Sequence, residues 1–353
     1  MSNKTEKKSN KRKREETDKN HEPKIKKNVN TSINTSINKS INKSINKIEN
    51  LSDLINLSFS TEKYENVSID LLKKIRKELI ELNLLSGLKK IKQSILDQIL
   101  YYIQDLHSNS DDYLHTIITG PAGSGKTTIA KILGRIFSKL GILSESKFII
   151  ARRDNFVAGY LGQTAIKTQK LLESSQGGVL FIDEVYSMGN SRTDGDSFSK
   201  EAIDTINLFL SEYKDDFMMI VAGYEKEVEE CFFAHNHGLK RRFMWHHKID
   251  GYEPRDLVDI LKLKIYNCFW KLDDDITDDY LTDLITSNVH KFEYNGGDIE
   301  NFFSMCKVQH ARRTIYLNIL NKKKISREDL ENSMDKFKSD IKKEDELPPF
   351  MYL

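Results

Sequence analysis

The chain has 353 residues, of which 38% are hydrophobic, and its formal net charge at pH 7 is +2. This length suffices for about two domains, and the low hydrophobic content predicts that part of the chain is disordered. Residues 1–30 carry a net charge of +6, which leaves −4 for the remainder. The basic character therefore belongs to a tail, and the body lacks the charge of a nucleic-acid binder. No apolar run approaches the ~20 residues of a membrane span.

Residues 1–50 are predicted to be a disordered basic and low-complexity tail, because residues 31–46 repeat a Ser-Ile-Asn pattern typical of a linker. The basic cluster Lys11–Arg14, together with Lys24–Lys27, is either a nuclear localisation signal or a solvated tail. Three widely spaced cysteines indicate reduced thiols, so we expect an intracellular protein, cytoplasmic or nuclear. The richness in Asn, Lys and Ile suggests the AT-rich genome of a large virus or a protist.

Helical periodicity predicts a helical segment over residues 51–110, interrupted by a break with a glycine at Leu85–Leu88. Residues 111–250 alternate strand and helix signals, which predicts a parallel α/β sheet. The strands are predicted at residues 114–119, 147–151, 178–182, 217–222 and 243–249. Residues 251–335 are predicted to form a smaller domain without strands, followed by a charged tail at 336–353. Its helices are predicted at residues 255–270, 277–288 and 298–320.

The segment Gly-Pro-Ala-Gly-Ser-Gly-Lys-Thr that ends at Thr127 has the spacing of a P-loop. It follows an apolar β-type run and opens a helical pattern, as this motif requires. Glycines let several backbone N–H groups point at one phosphate, and the helix N-terminus adds positive potential. Lys126 is predicted to contact the β- and γ-phosphates, and the Thr127 hydroxyl to hold Mg²⁺. The predicted nucleotide contacts in this loop are Gly120, Pro121, Ala122, Gly123, Ser124, Gly125, Lys126, Thr127 and Thr128.

The segment Gly-Val-Leu-Phe-Ile-Asp-Glu that ends at Glu184 is an apolar strand with two acids at its tip, the form of a Walker B motif. Asp183 is predicted to lie beside Mg²⁺. Glu184 is predicted to polarise the attacking water as the general base. Together the two motifs predict a nucleotide hydrolase, and the lack of an NKxD signature favours ATP over GTP.

Four stretches in order give the chain a resemblance to the CbbX/CfxQ and SpoVK-like branch of AAA+ ATPases, covering roughly residues 80–310. The stretches are Tyr160–Thr168, Gly177–Glu184, Ile220–Tyr224 and Asn236–Phe243. The resemblance implies an α/β fold, that of an AAA+ P-loop NTPase with a parallel five-stranded sheet followed by a small helical lid domain. It also implies a ring, usually of six identical subunits, with ATP bound between neighbours and with Mg²⁺.

The resemblance further implies roles at the nucleotide. Gly87 and Leu88 belong to the segment that lies over the adenine in this family. Arg242 would be the arginine finger that reaches the γ-phosphate of the neighbouring subunit, with Arg241 as the alternative. Gly297 stands where CbbX-type relatives carry an arginine, and this departure removes a cationic contact to the nucleotide.

Tyr160, Leu161 and Gly162 resemble the aromatic–hydrophobic–glycine pore loop of AAA+ unfoldases. An aromatic ring can grip any polypeptide by apolar contact, so the predicted function is ATP-driven remodelling of a protein substrate through a ring pore. Two alternatives stay open. The charge of the body and the aromatic loop argue against a nucleic-acid motor or loader. Gly297, in place of the arginine, keeps open a nucleotide-dependent scaffold with slow hydrolysis. Neither nucleic acid nor membrane is an expected partner.

Overall fold

The fold is described by a computed structural model for residues 47–108, 112–160, 162–189, 197–316 and 323–338. Most of the predicted N-terminal tail, Leu161 and residues 339–353 of the charged C-terminal tail lie outside these ranges. Three helices precede the first strand: α1 (Leu51–Leu57), α2 (Ile69–Leu84) and α3 (Lys89–Ile103). The break between α2 and α3 falls at the predicted glycine, where both Gly87 and Leu88 have positive φ angles of 59° and 60°.

Five parallel strands form the central layer, in the spatial order β2-β3-β4-β1-β5. They are β1 (Thr116–Thr119), β2 (Phe148–Ala151), β3 (Val179–Ile182), β4 (Met218–Gly223) and β5 (Trp245–Lys248). In the register of the sheet, Ile117 of β1 lies opposite Val221 of β4 and His246 of β5. Strands β1, β3 and β4 are buried along their whole length, because helices cover both faces of a parallel sheet. The predicted five-stranded parallel sheet is confirmed.

Helices pack on both faces of this sheet. They are α4 (Lys126–Leu140), α5 (Arg153–Phe156), α6 (Thr164–Ser175), α7 (Ser197–Glu212), α8 (Glu225–Cys231) and α9 (His237–Lys240). Neighbouring side chains of β1 point to opposite faces of the sheet, since side chains alternate along a strand. Ile118 packs in the core under α2, α3 and α4, and Ile117 packs in the core under α6 and α7. The helical segment before the sheet therefore shares the core of the sheet.

The lid, which we define as residues 254–338, follows β5. Its helices are α10 (Pro254–Asn267), α11 (Asp278–Ser287), α12 (Gly296–Thr314) and α13 (Arg327–Lys336). The prediction that this region lacks strands is wrong, because β6 (Lys271–Leu272) and β7 (Lys324–Ile325) pair in parallel. Strands of two residues are too short to show an alternating pattern.

The C-terminal end of the lid also differs from the prediction. The sequence did not predict α13. Its ten residues include only two large apolar side chains, Leu330 and Met334, and both are buried. Phe337 is buried against Phe292 and Phe302, so the packing of the lid continues beyond the predicted boundary at residue 335. Helix α12 ends at Thr314, short of the predicted residue 320.

Candidate functional site

A cavity of about 580 Å³ lies at the C-terminal ends of β3 and β4, between the sheet and the lid. We call it the P-loop cavity. Its walls come from residues 85–88, the loop after β1, the ends of β3 and β4, and the lid helices α10 and α12. The carboxyl edge of a parallel sheet is where α/β proteins bind their ligands, and this volume suits a small molecule.

The loop after β1 curls because two of its glycines adopt left-handed conformations. Gly123 has φ +66° and Gly125 has φ +90°, angles that cost a glycine little. A Cβ on Gly123 would lie 2.0 Å from the carbonyl oxygen of Tyr294 in the lid, so no other residue fits there. Among the predicted contacts in this loop, residues 122–128 line the P-loop cavity, whereas Gly120 and Pro121 lie behind it.

The Lys126 side chain is folded back on its own loop. Its Nζ donates to the carbonyl oxygens of Gly120 at 3.0 Å and Pro121 at 2.8 Å. Burial lowers the pKa of Lys126, and the carboxylates of Asp183 and Glu184 oppose this shift. The ammonium group thus sits in a partly dry site beside two acids and is held by main-chain groups that an anionic ligand can replace.

Thr127 and Asp183 meet although they are far apart in sequence. The Thr127 hydroxyl donates to Oδ2 of Asp183 at 3.4 Å, and Oδ1 of Asp183 accepts from the backbone N–H of Glu184 at 3.0 Å. A hydroxyl and a carboxylate are the hard oxygen ligands that Mg²⁺ prefers. This donor set fits the ion that the sequence predicted here.

Glu184 is exposed at the mouth of the P-loop cavity in a left-handed conformation, with φ +50°. Tyr186 follows it, and its ring lies 6.0 Å from that of Tyr224 at the end of β4. Burial and the charge of Glu184 raise the pKa of Tyr186 to about 12, so its hydroxyl stays protonated and can donate to this carboxylate. Tyr186 was not predicted from the sequence, since a tyrosine two residues after an acid carries no signal of its own.

Three of the four residues in the segment 85–88 line the P-loop cavity. Leu85, Ser86 and Leu88 line the P-loop cavity, but Gly87 does not. A Cβ on Gly87 would lie 2.6 Å from a carboxylate oxygen of Asp256 in α10. The structure therefore places Leu88 in the wall and Gly87 behind it, where the missing side chain lets the segment lie against the lid.

Arg241 and Arg242 lie outside the P-loop cavity of their own chain. Arg242 is half-buried and donates to the carbonyl of Gly238 at 2.6 Å and to the hydroxyl of Ser211. Its Nε is buried and has no hydrogen-bond partner among the described residues. Arg241, in contrast, is exposed. The two arginines thus differ in how free their side chains are to reach another molecule.

Tyr160 lies on the connection between α5 and α6, and its side chain is 75% exposed. Gly162, two residues further along the chain, has φ +78°, and no atom would lie within 4 Å of a Cβ placed on it. The base of the loop is anchored, because the backbone N–H of Ala158 donates to the hydroxyl of Thr164 at 3.1 Å. Leu161, predicted as part of the same loop, lies outside the described residues.

Comparison with known proteins identifies the family of this chain. The family described as "ATPase family associated with various cellular activities (AAA)" matches residues 116–231. A cfxQ-like protein of Acanthamoeba polyphaga mimivirus is 42% identical over 76% of this chain and 66% of its own length. The chloroplastic ribulose bisphosphate carboxylase/oxygenase activase of Cyanidioschyzon merolae is 32% identical over 59% of this chain and 67% of its own. This chain belongs to the CfxQ-like branch of the AAA ATPases.

Family membership confirms the resemblance found in the sequence, including its SpoVK-like part. Stage V sporulation protein K of Bacillus subtilis is 34% identical over 55% of this chain and 61% of its own length. The protein is an ATP hydrolase by class, which implies that it binds a nucleotide. The aligned region spans about two thirds of the mimivirus protein.

A solved structure shows the same fold. The FIGL-1 AAA domain in complex with ADP superposes with a TM-score of 0.53 at 15% identity, covering 79% of this chain and 92% of that chain. Among the described residues, no helix has the length and apolarity that crossing a membrane requires.

Proposed function

We propose that this AAA ATPase couples ATP hydrolysis to the remodelling of a protein substrate in the pore of a ring, built from six copies of the chain. The observation that carries this proposal is Tyr160, an aromatic side chain that is 75% exposed and lies two residues before a glycine with a positive φ angle. An exposed aromatic ring binds any polypeptide by apolar contact, without reading its sequence. Gly162 allows the loop to change its backbone conformation as the subunit moves.

The residues of the P-loop cavity divide the chemistry between them. Thr127 and Asp183 would hold Mg²⁺, which neutralises charge on the phosphates when it is bound. Lys126 exchanges two carbonyl partners for the β- and γ-phosphates, and Glu184 accepts a proton from the attacking water. These roles are supported by the closeness of the four side chains around one cavity.

The arginine finger is proposed to come from a neighbouring subunit. Arg242 serves this role only if its guanidinium leaves Gly238 and Ser211, whereas Arg241 is already exposed. A finger stabilises the charge of the transition state and contributes roughly 10³–10⁵ in rate. We keep Arg242 as the proposed finger, with Arg241 as the alternative.

The test is a substrate trap. Glu184→Gln should retain ATP binding and lose hydrolysis, because an amide cannot accept the proton of the attacking water. A protein client should then stay bound and co-purify. The client should be lost from the double variant Glu184→Gln, Tyr160→Ala. The matched control is Glu184→Gln, Tyr266→Ala, which removes a tyrosine that is 77% exposed on α10. Equal capture by all three variants, or capture of nucleic acid alone, would refute the pore-loop proposal.

A nucleotide-dependent scaffold with slow hydrolysis is the second candidate, and Gly297 favours it. The residue borders the P-loop cavity without offering a side chain to the phosphates. Very slow ATP turnover that no protein accelerates would support the scaffold. Stimulation of turnover by DNA that weakens with added salt would instead support a nucleic-acid motor.

We infer an intracellular location, in the cytoplasm or a nucleus, from three cysteines that are all free thiols. The similarity to a mimivirus protein supports the origin in a large virus or protist that the composition suggested.

A further inference from the structure

The carbonyl groups of the P-loop are all engaged. From Gly120 to Gly125, each peptide oxygen accepts a hydrogen bond. Lys126 occupies the first two, and the N–H of Ile129 in α4 occupies the last at 3.0 Å. The three carbonyls between them are bound from outside the loop, by the lid and the segment that enters it.

Three donors from this side contact three consecutive peptide groups. The hydrogen bonds run from Nδ2 of Asn295 to Ala122 at 3.2 Å, from the backbone N–H of Gly296 to Gly123 at 3.2 Å, and from the hydroxyl of Tyr252 to Ser124 at 2.9 Å. We call these three bonds the lid contacts. Two of them join the phosphate loop to the N-terminal end of α12, which itself borders the P-loop cavity. The third joins the loop to Tyr252, two residues before the lid.

The sequence makes this close approach possible in two ways. The first turn of α12 begins with Gly296, where a Cβ would lie 3.0 Å from the carbonyl oxygen of Gly123, so any side chain there would crowd this contact. Asn295 is 7% exposed and adopts φ +51° and ψ −118°, an unfavourable conformation for a residue with a Cβ that persists only where its surroundings enforce it. Its Oδ1 faces the backbone N–H of Tyr252 at 3.5 Å. Two of the residues that hold the loop are therefore also in contact with each other.

The bound carbonyls and the phosphate-binding N–H groups belong to the same peptide units. The oxygen of Ala122 shares its peptide group with the N–H of Gly123, and the same holds for each following pair. A hydrogen bond to the oxygen polarises the peptide group and strengthens its N–H as a donor. A phosphate bound to those N–H groups must strengthen the lid contacts by the same amount, because coupling between two binding events is reciprocal.

We propose that Tyr252 and Asn295 are positioning residues, which couple phosphate binding to the position of the lid through the backbone of the P-loop. The coupling uses neutral hydrogen bonds. They lie next to Gly297, where the family resemblance leads one to expect an arginine. The inference rests on the proposed nucleotide site and adds to it the path by which the lid senses the nucleotide.

The hydroxyl of Tyr252 is suited to this role at any physiological pH. Burial and the charge of Asp256 raise the pKa of Tyr252 to about 12, so the group remains a donor. The Tyr252 ring packs against the core of the lid, and its hydroxyl reaches the loop. Removing the hydroxyl alone therefore separates the lid contact from the packing of the ring.

The primary variant is Tyr252→Phe, and its matched control is Tyr280→Phe. The Tyr280 hydroxyl donates to Glu331 at 3.0 Å, so the control removes a hydrogen bond that lies entirely within the lid. We would measure the equilibrium affinity for a fluorescent ADP analogue in the full chain. Loss of a neutral hydrogen bond predicts about three- to tenfold weaker binding for Tyr252→Phe, and binding equal to wild type for Tyr280→Phe.

A second readout separates coupling from simple stability. Hydrogen exchange of the α12 backbone, with and without ADP, should show nucleotide-induced protection in wild type and in Tyr280→Phe. This protection should be reduced in Tyr252→Phe, while exchange without nucleotide is unchanged. Asn295→Gly tests the second residue, because glycine keeps the positive φ angle without strain and lacks the amide. It should weaken ADP binding about three- to tenfold as well.

The outcomes distinguish the two proposals. If wild type binds no ADP, the proposed function fails and the coupling fails with it. If wild type binds ADP and both Tyr252→Phe and Asn295→Gly bind it equally well, the coupling is refuted while the nucleotide site stands. If Tyr252→Phe weakens binding but leaves the ADP-induced protection of α12 intact, its hydroxyl contributes to affinity alone and the coupling is likewise refuted.

Discussion

At the scale of single residues, Gly297 leaves a part of the P-loop cavity open. It borders the P-loop cavity, and no atom would lie within 4 Å of a Cβ placed on it. A longer side chain at this position therefore has room to extend without a clash. Lys126, Asp183 and Glu184 line the same cavity and carry charges.

Gly297→Arg should bind ATP about tenfold more tightly than wild type, a gain of about 1.4 kcal/mol, because a guanidinium makes charge-assisted hydrogen bonds with phosphate oxygens. The measurement is equilibrium binding of a fluorescent ATP analogue to each variant. Gly297→Ala is the control, since alanine raises helix propensity by roughly 1 kcal/mol without adding a charge. An equal gain in affinity from both variants would mean that the effect comes from the helix backbone and not from a cationic contact.

Arg242→Ala should lower the midpoint of thermal unfolding, since it leaves Ser211 and the carbonyl of Gly238 without their donor. The cost expected for two such hydrogen bonds is about 1–3 kcal/mol. Arg241→Ala is the control, as the exposed neighbouring side chain has no such bonds to lose. Equal unfolding midpoints for the two variants would contradict the bound position of Arg242 seen in the structure.

At the scale of elements, one buried carboxylate ties the last two helices of the lid together. Asp329 of α13 accepts from Nε and Nη2 of Arg313 in α12, both at 2.8 Å, and from the backbone N–H of Ser326 at 3.0 Å. Burial acts to raise the pKa of Asp329, but the hydrogen bonds from Arg313 and Ser326 lower it below its usual value of 3.8. The position of α13 therefore depends on a charge as well as on apolar contacts.

Asp329→Asn should destabilise the chain by roughly 3 kcal/mol, because breaking a buried ion pair leaves the partner charge uncompensated. Denaturant unfolding monitored by circular dichroism measures this loss. Asp335→Asn is the matched control, an exposed aspartate on the same helix. If both variants unfold at the same denaturant concentration, α13 is held by apolar contacts alone.

At the scale of the whole molecule, two buried histidines are held neutral next to the central sheet. Nδ1 of His115 accepts from the backbone N–H of Met219 at 3.2 Å. The ring of His247 lies 2.8 Å from both Ser94 Oγ and Gln98 Oε1. Burial lowers the pKa of each ring from 6.5 to about 3, and the charge of Arg242 adds to the shift for His115.

Unfolding should become easier as the pH falls from 7 to 5. Because the pKa of both rings is lower in the folded state, the unfolded chain binds more protons below pH 6.5, and the free energy of unfolding decreases there. Two histidines predict a loss of about 4 kcal/mol over this range. Denaturant unfolding at several pH values measures it.

His247→Gln should remove about half of this pH dependence, and the substitution of an exposed histidine, His290→Gln, should leave it unchanged. A pH dependence that is the same in wild type and His247→Gln would show that the buried ring takes up its proton without unfolding.

Short motifs and apolar runs by themselves determined the family, the five strands and four of the side chains that line the P-loop cavity. Lys126, Thr127, Asp183 and Glu184 could be named in advance because their chemistry depends on spacing within two local segments, each attached to a buried strand. The lid was predicted less well, since β6, β7 and α13 are short or mostly polar and leave little periodicity to read.

Contacts between distant segments were decided only by the tertiary structure. Tyr252 and Ser124 are 128 positions apart in the chain, and Asn295 and Ala122 are 173 apart. Nothing near these residues in the sequence marks them as partners, because a hydrogen bond to a backbone carbonyl needs no particular residue at the acceptor. Gly87, which was expected at the nucleotide, instead gives room to Asp256 in α10, a residue distant from it in the sequence. The sequence determined which groups could bind a nucleotide, and the packing of the lid on the P-loop decided which groups hold that loop in place.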